Sequence, residues 1–355
     1  MKAKDGSPLV SIVAGLLVLL ASNVVQAQDF KPIELTVIGN VGNIPQSTEI
    51  ERPLFEGLPT RSNGRFKVRF RTLQELGMKG DEMSRLASRG SFNIVALLAG
   101  YVSGDAPFFI GVDIPGLAGS LDDAEKQAEA YRVALDVYLQ EKLNVKLLAL
   151  WPYPLQILYC REEVKSLDDL KGRRIRVHST ALSSLVKAVG GIAVSVPFAE
   201  VYTSLQRGVA DCAATSTVAG NTQKWYEVSK WIVTLPLGWA ISAHVAHKGF
   251  WEGLEPGARD YLAREMGRME QRLWDMARQR GDDALSCNMG GECKYGTKGA
   301  MKLYRLTDDE VARVRKLVSG TVLADWASEC KKTYPQCVEK WNETIGKVIG
   351  VSVAK

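Results

Sequence analysis

β-strand and α-helix patterns alternate along this chain, and the alternation runs through it twice. Short apolar stretches rich in β-branched residues are separated by amphipathic stretches and by turn residues. The first pass predicts a strand, helix, strand, helix and strand over 33–38, 46–58, 66–71, 81–88 and 93–98. Strands that alternate with helices in this way favour a parallel α/β layer.

The first pass ends at Pro152 and Pro154, after a long amphipathic helix over 121–143 and a strand over 145–150. Prolines punctuate regular structure, so we expect the chain to cross into a second domain here. The second pass predicts strands over 155–160, 192–196, 210–214 and 231–235 and helices over 180–189, 198–206 and 221–229. A chain of 355 residues also suits two domains of ~100–200 residues each.

Two later stretches are expected to join the domains. Residues 239–247 look extended and are predicted to return to the first domain, and 256–279 form one helix long enough to run along both. The apolar stripe of that helix is typical of core packing rather than of a ligand site. The stripe consists of Met266, Met269, Leu273 and Met276. Further helices are predicted over 308–318, 322–329 and 338–348.

The first residues carry the pattern of a secretory signal peptide. Lys2 and Lys4 form a positive start, residues 9–21 are apolar, and Val25 and Ala27 frame a small-x-small cleavage site. The alternative is an uncleaved membrane anchor, but this apolar run falls short of the roughly 20 residues that span a bilayer. We therefore expect cleavage near Ala27 and export of the remaining chain to the periplasm.

Six cysteines, at positions 160, 212, 287, 293, 330 and 337, suit an exported chain because oxidising compartments permit disulfides. Two local bridges are predicted, Cys287–Cys293 and Cys330–Cys337, although sequence alone leaves swapped pairing open. A zinc site is disfavoured because structural zinc pairs usually have two to four intervening residues. The first two cysteines, both in predicted strands, are either buried thiols or a third bridge between neighbouring strands.

The distribution of charged and catalytic residue types excludes several functions. The net charge of +5 is spread along the chain, so no nucleic-acid partner is expected. His244 and His247 lie three apart in an extended stretch, where they face opposite ways and cannot easily share a metal. Nucleophile-elbow and phosphate-loop patterns are absent from the sequence, and carboxylates are scattered singly. No catalytic activity, cofactor or metal is therefore expected.

A cation in a predicted strand marks the candidate site. A short helical turn and a glycine lead into this strand, where Arg176 stands between Ile175 and Val177. Alternate strand side chains face opposite sides, so if the apolar pair enters the core, Arg176 points into a cleft or into solvent. The guanidinium is a rigid fork of donors that suits a carboxylate. The alternative is an ion pair with an acidic side chain of the protein itself.

Three segments resemble the hallmarks of one family. Residues 166–177 (SLDDLKGRRIRV) look like the domain-two signature of the substrate-binding proteins of tripartite ATP-independent periplasmic (TRAP) transporters, the DctP-like family. Residues 196–211 (VPFAEVYTSLQRGVAD) and 224–228 (KWYEV) resemble its second and third hallmarks. The three occur in the family's order and at its spacing, and a looser similarity extends over most of the mature chain.

The resemblance implies a type II periplasmic-binding fold of class α/β, with two lobes, a central cleft and a long helix running along both. Lobe I is predicted at 28–151 plus about 238–280, and lobe II at 152–237 plus about 281–355 with the C-terminal helices. The cleft is expected to close on a small organic acid, with Arg176 on the ligand carboxylate. Delivery to an ion-gradient-driven TRAP membrane permease, and a monomeric state, are also expected.

Two positions depart from the family pattern. Gln156 stands where many members carry a further arginine on the domain-two entry strand. Thr215 replaces an amide that often contacts the ligand. Both changes remove polar or charged contacts, so the expected ligand is a monocarboxylate with an apolar or aromatic body.

Further candidate site residues follow from position in the predicted fold. Asn40, followed by Asn43 and Gln46, lies at the carboxyl end of the opening strand, where open α/β sheets bind ligands; the alternative is that all three are ordinary turn residues. Phe198 is predicted to lie near the cleft. Each aromatic residue near the cleft either packs in the hydrophobic core or contacts the ligand, and at least one is expected to stack on the ligand. This set comprises Tyr101, Trp151, Tyr153, Trp225 and Trp239.

The expected function is thus capture of a small carboxylate by an exported, non-catalytic binding protein. Two other classes stay open. One is a ligand sensor that presents its closed form to a receptor kinase, and the other is an exported enzyme that acts on carboxylates.

Overall fold

The computed structural model describes residues 30–354, so the signal peptide predicted over 1–27 lies outside the described residues. The described chain is a mixed α/β structure with two sheets. Its strands are β1 (Ile33–Gly39), β2 (Phe66–Thr72), β3 (Ile94–Leu98), β4 (Val145–Pro152), β5 (Gln156–Cys160), β6 (Arg174–Val177), β7 (Ile192–Ser195), β8 (Cys212–Ser216), β9 (Trp231–Val233), β10 (Ile241–His247) and β11 (Lys302–Tyr304).

The helices pack around both sheets. In chain order they are α1 (Arg52–Arg61), α2 (Met83–Ser88), α3 (Pro107–Ile110), α4 (Leu121–Leu143), α5 (Thr180–Ala188), α6 (Val201–Gln206), α7 (Thr217–Thr222), α8 (Lys248–Gly253), α9 (Pro256–Met289), α10 (Asp308–Leu317), α11 (Leu323–Thr333), α12 (Cys337–Trp341) and α13 (Lys347–Ile349). A π-helical turn over Gln46–Glu51 leads directly into α1. No helix among residues 30–354 is long and apolar enough to cross a membrane.

The first sheet has the order β2-β1-β3-β10-β4. β1 pairs in parallel with β2 and β3, which confirms the parallel layer predicted from the first pass. β10 pairs antiparallel with β3 and β4, so the chain does return to this sheet after crossing the second one.

The second sheet has the order β11-β9-β5-β8-β6-β7. β6 pairs in parallel with β7 and β8, whereas β5 runs antiparallel to β8 and β9. The chain passes between the sheets three times, lastly through α9 on the way to β11 and, before that, through two shorter crossing segments, one after β4 and one before β10. These two crossing segments lie side by side, because the Gln156 N–H donates to the Gly238 carbonyl at 3.1 Å and the Tyr153 N–H to the Ala240 carbonyl at 3.3 Å.

The long helix α9 spans 34 residues, ten more than predicted, and ends at Gly290, which has φ 84°. It contacts elements of both sheets. Trp274 Nε1 donates to the Leu150 carbonyl on β4 at 3.0 Å, and Thr217 Oγ1 on α7 donates to the Gly281 carbonyl at 3.0 Å. All four residues of the predicted apolar stripe are buried in the core, as expected.

The C-terminal helices contact both halves of the molecule. Glu310 on α10 accepts the Leu167 N–H of the second half at 2.6 Å. Trp326 and Trp341 donate from their indole nitrogens to the carbonyls of Pro107 and Gly111 in the first half. The domain bounds given above, with all C-terminal helices in lobe II, stay a prediction.

One predicted helix, over 221–229, begins too late. The structure has α7 at Thr217–Thr222, and its first turn is capped by Ser216 Oγ, which accepts the Ala219 N–H at 3.0 Å. Lys224, in the left-handed region at φ 57°, then separates α7 from a 3₁₀ turn over Trp225–Glu227. A serine directly after a buried strand is a typical helix start, and Ser216 is the residue that indicates the true beginning of α7.

Three disulfides connect the six cysteines. Cys287–Cys293 and Cys330–Cys337 form as predicted, which excludes swapped pairing. Cys160 and Cys212 form the third bridge rather than two free thiols. They are directly opposite each other in the antiparallel register of β5 and β8.

Candidate ligand-binding site

A cavity lies between the two sheets. It is placed where the parallel strands β1 and β3 of one sheet and β6 and β8 of the other reach their carboxyl ends, the usual ligand edge of open α/β sheets. The two halves also touch beside it, since Ser103 Oγ accepts the Thr180 N–H at 3.1 Å. The lining consists of Val41, Ile44, Leu98, Tyr101, Tyr153, Gln156, Arg176, His178, Phe198, Thr215, Ser216, Ala219 and Ala240.

Arg176 is the buried cation of this cavity, with 2% of its surface exposed. It lies on β6 between Ile175 and Val177, both of which are buried in the core as predicted. Its Nε donates to the Val196 carbonyl at 3.0 Å, and its Nη1 donates to the Ala214 carbonyl at 2.9 Å. A guanidinium has five N–H groups, so three remain for other partners.

No carboxylate of the described residues acts on Arg176, which argues against the ion-pair alternative. Burial lowers the pKa of this arginine, and only the Tyr101 hydroxyl opposes that effect. A buried charge without a counter-ion is unfavourable, so binding of an anion at the free N–H groups would offset part of its desolvation.

Tyr101 brings the first half of the molecule to Arg176. It follows β3, lines the cavity, and its hydroxyl interacts with the guanidinium from the opposite wall. Its ring meets the ring of His178 edge-on, with centroids 6.3 Å apart and planes at 89°. Burial raises the pKa of Tyr101, so it stays a neutral donor and acceptor beside the cation.

His178 is a cavity residue that the sequence analysis did not select. Burial, and then the nearby Arg176 charge, lower its pKa from 6.5 to about 3. The imidazole is therefore neutral at physiological pH and offers one donor and one acceptor. The sequence spacing could have indicated this residue. Side chains two residues apart in an extended chain point to the same side, so His178 and Arg176 face the same cavity.

Neutral polar groups and one aromatic ring complete the second half of the site. Gln156 on β5 and Thr215 on β8 are both buried and both line the cavity. The amide of Gln156 is oriented by a bond from its Nε2 to the Pro154 carbonyl at 3.0 Å. Phe198 presents its ring 6.0 Å from the guanidinium carbon of Arg176, within the range of a cation–π contact.

Two predicted site residues lie outside the cavity lining. Asn40 is buried beside it, where its Nδ2 donates to Ser242 Oγ on β10 at 2.7 Å. Trp239 lines a separate cavity, which Gln156 also borders. The structure therefore brings together Arg176, Gln156, Thr215, Tyr101 and Phe198, and separates Asn40 and Trp239 from them.

Of the remaining candidate residues, some make contacts that stabilise the fold and others line the cavity. Asn43 Nδ2 donates to Gln223 Oε1 at 3.1 Å, which links the two halves at the surface, and Gln46 is buried. Trp151 and Trp225 are fully buried core residues. Of the five aromatic candidates, Tyr101 and Tyr153 line the cavity.

The two histidines of β10 do not share a site. His244 is buried, accepts the Trp151 indole N–H at 3.0 Å and lies 3.0 Å from Glu51 Oε1. His247 contacts Asn144 near the surface. Residues 30–354 contain no group of three or more His, Cys, Asp or Glu side chains placed to hold a metal ion.

Two α/β lobes, two crossing segments between them and a cavity at their facing edges define the type II periplasmic-binding fold. Solved structures share it. A pyroglutamic-acid-binding solute receptor of Bordetella pertussis has a TM-score of 0.77 at 20% identity, covering 87% of this chain and 99% of that one. A TRAP solute-binding protein of Desulfovibrio salexigens with bound orotic acid has a TM-score of 0.78 at 20% identity, covering 89% and 99%.

Sequence relatives agree with this fold. The family model described as bacterial extracellular solute-binding protein, family 7 (DctP), matches residues 45–322. A C4-dicarboxylate-binding periplasmic protein of Rhodobacter capsulatus is 27% identical over 187 residues, which span 52% of this chain and only 54% of that relative. A solute-binding protein of Albidiferax ferrireducens is 24% identical over 76% of this chain and 78% of its own length. The chain belongs to family 7 of the bacterial extracellular solute-binding proteins, the DctP-type receptors of TRAP transporters.

Proposed function

We propose that this protein captures one small monocarboxylate in the cavity between its lobes. The observation that carries the proposal is Arg176, a buried guanidinium that two backbone carbonyls orient. Of its five N–H groups, two bind these carbonyls and one interacts with the Tyr101 hydroxyl, so two stay available. A carboxylate accepts two parallel N–H bonds from such a fork, and this geometry makes the contact both strong and directional.

The rest of the cavity supports a ligand with a single charge and a compact, less polar body. Gln156, Thr215 and His178 supply neutral hydrogen-bonding groups, and Arg176 is the only cationic side chain in the lining. Val41, Ile44 and Leu98, all from the first half of the molecule, give the cavity an apolar wall.

Two of the structural neighbours described above support this ligand class. The Bordetella pertussis receptor binds pyroglutamic acid and the Desulfovibrio salexigens protein holds orotic acid. Each of these ligands is a compact ring with one carboxylic acid. The Rhodobacter relative, by contrast, is named as a C4-dicarboxylate-binding protein. We assign this chain to the monocarboxylate class because it has Gln156 where many family members have arginine.

The proposed working cycle follows from the two-lobed fold. The protein acts in the periplasm after export, closes its lobes on the acid and delivers it to an ion-gradient-driven TRAP membrane permease. The contact between Tyr101 and Arg176 across the cavity supports closure, because it joins the two lobes at the position of the ligand. We propose no catalytic step, and no feature of the cavity favours a sensor or an enzyme over a receptor.

A thermal-shift screen followed by calorimetry tests this proposal. We expect pyroglutamate, orotate or a related monocarboxylate to raise the melting temperature by several degrees at 100 times its Kd, where binding adds about 2.7 kcal/mol to stability. Succinate is expected to bind more weakly than the best monocarboxylate. Stabilisation by dicarboxylates alone, or by no acid in a broad panel, would contradict the proposal.

A further inference from the structure

The crossing segment before β10 is held in an unusual backbone conformation. Gly238 has φ 89°, and Ala240 has φ 50°, in the left-handed region that a residue with a Cβ atom rarely adopts. Ala240 also lines the ligand cavity. A strained residue persists only where its surroundings hold it in place, and such residues cluster at ligand sites and hinges.

The group that holds this segment is the carboxylate of Asp113, on the turn that follows α3. Asp113 Oδ1 accepts the Trp239 N–H at 3.0 Å, and Asp113 Oδ2 accepts the Ile241 N–H at 3.3 Å. The Ala240 N–H between them also interacts favourably with the carboxylate. Successive backbone N–H groups that converge in this way form an anion-binding nest, and here the anion is a side chain of the first lobe.

We propose that Asp113 is a latch that fixes the crossing segment Gly238–Ile241 to the first lobe and thereby positions the cavity wall. The latched segment contributes Ala240 to that wall directly. Its carbonyls also accept the backbone N–H groups of Tyr153 and Gln156, two further cavity residues. When the lobes open and close, the bend is confined to the second-lobe side of Gly238, because the chain after it is attached to lobe I.

The latch responds to pH near neutrality. Part of the Asp113 residue is exposed, but its carboxyl group is buried. This burial raises the pKa of the carboxyl group from 3.8 to about 7, although the three backbone N–H groups favour the charged form and act in the opposite direction. No charged side chain contributes to that shift. The charged group that α10 brings to the neighbouring cavity, beside Gly238 and Trp239, is Arg315. Protonation turns one acceptor oxygen into an O–H donor, so the latch loses a bond at low pH and is complete at high pH.

An amide titration by NMR of the mature, ligand-free protein tests the latch directly. We expect the Trp239 and Ile241 amide protons to shift with pH, with a midpoint near 7, because they report on the carboxylate that they contact. In Asp113→Asn this titration should vanish. At pH 8 the variant should exchange the amide hydrogens of 239 and 241 about fivefold faster or more, the loss expected for one hydrogen bond. Asp309→Asn, a change at an exposed carboxylate on α10, is the matched control and should change neither result.

A double-mutant cycle distinguishes a latch on a strained segment from ordinary structural support. Glycine adopts φ 50° freely, so Ala240→Gly should reduce the exchange effect of Asp113→Asn to less than half. An equal effect in both backgrounds, or wild-type amides that do not titrate between pH 5 and 9, overturns the inference. The wild-type titration needs no variant and no ligand, so it stays decisive if Asp113→Asn fails to fold or if the proposed ligand class is wrong.

Discussion

Arg176 Nη1 donates a 2.9 Å hydrogen bond to the carbonyl oxygen of Ala214, a residue of the neighbouring strand β8. This bond, with the one from Nε to Val196, attaches the guanidinium to the edge of its own sheet rather than to an acidic side chain. The backbone therefore aims the fork before any ligand arrives. Pre-organised donors of this kind avoid the cost of ordering a flexible side chain on binding.

Arg176→Lys should lower the affinity for the bound acid by about 10- to 100-fold. A lysine ammonium cannot serve two carbonyls and also offer a planar pair of N–H bonds, and a hydrogen bond to a charged group contributes ~1.5–3 kcal/mol. Isothermal titration calorimetry with the best acid of the screen measures the change. The matched control is Arg174→Lys, on the same strand, where Arg174 is exposed at the surface and pairs with Asp211 at 2.7 Å. Equal affinities of Arg176→Lys and wild type would show that Arg176 does not bind the ligand.

Gln156→Arg should shift ligand preference from monocarboxylates to dicarboxylates. The new cation would stand in the same cavity as Arg176, so the two charges repel without ligand and are both neutralised by a second carboxylate. We expect the ratio of succinate to pyroglutamate affinity to rise about tenfold or more, as for one charge-assisted bond. Gln156→Met, which changes the side chain without adding charge, is the control. A rise in that ratio with Gln156→Met as well would assign the effect to cavity shape rather than to charge.

The local sequence pattern predicted those site residues whose orientation is set by a single strand. Arg176 could be assigned because strand alternation and two apolar neighbours define which way it points. Asn40 could not, because its amide is taken by Ser242 on β10, a strand that comes 202 residues later and lies beside β3 only in the folded chain. Trp239 was misplaced for a similar reason. It belongs to a crossing segment whose left-handed residues turn the side chain into a different cavity, and sequence pattern does not report a φ of 50° at an alanine.

His178 should make the protein less stable in acid. Its pKa is about 3 in the folded state, against 6.5 for an unperturbed histidine. The unfolded chain therefore takes up a proton below pH 6.5 that the folded chain refuses until about pH 3. Stability from this residue is complete above pH 6.5 and declines through that window by up to ~1.4 kcal/mol per pH unit.

The measurement is the urea-unfolding free energy at several pH values for wild type and His178→Gln. Glutamine does not titrate, so the slope of the free energy of unfolding between pH 6 and 4 should be flatter in the variant. Identical slopes in wild type and His178→Gln would show that this imidazole takes up a proton in the folded state as readily as in the unfolded one.

The three disulfides should differ in how much they stabilise the fold. Cys160–Cys212 closes a loop with a sequence separation of 52, whereas Cys287–Cys293 closes one of only 6. In the chain-entropy model these correspond to about 4 and about 2 kcal/mol of unfolding free energy. The longer bridge also joins β5 to β8, the strands that carry Gln156 and Thr215. Its loss should therefore make the positions of these two cavity residues less rigid.

Paired alanine substitutions at each bridge, compared by urea unfolding, measure this order. We expect the Cys160→Ala, Cys212→Ala double variant to lose the more stability, because both of its sulfur atoms are fully buried and their removal adds a packing cost to the entropy term. Its affinity for the bound acid should fall as well, whereas the Cys287→Ala, Cys293→Ala variant should bind as wild type does. A larger stability loss at the short loop would mean that loop length does not control the contribution of these bridges. The register of β5 and β8 would then be maintained by the sheet alone.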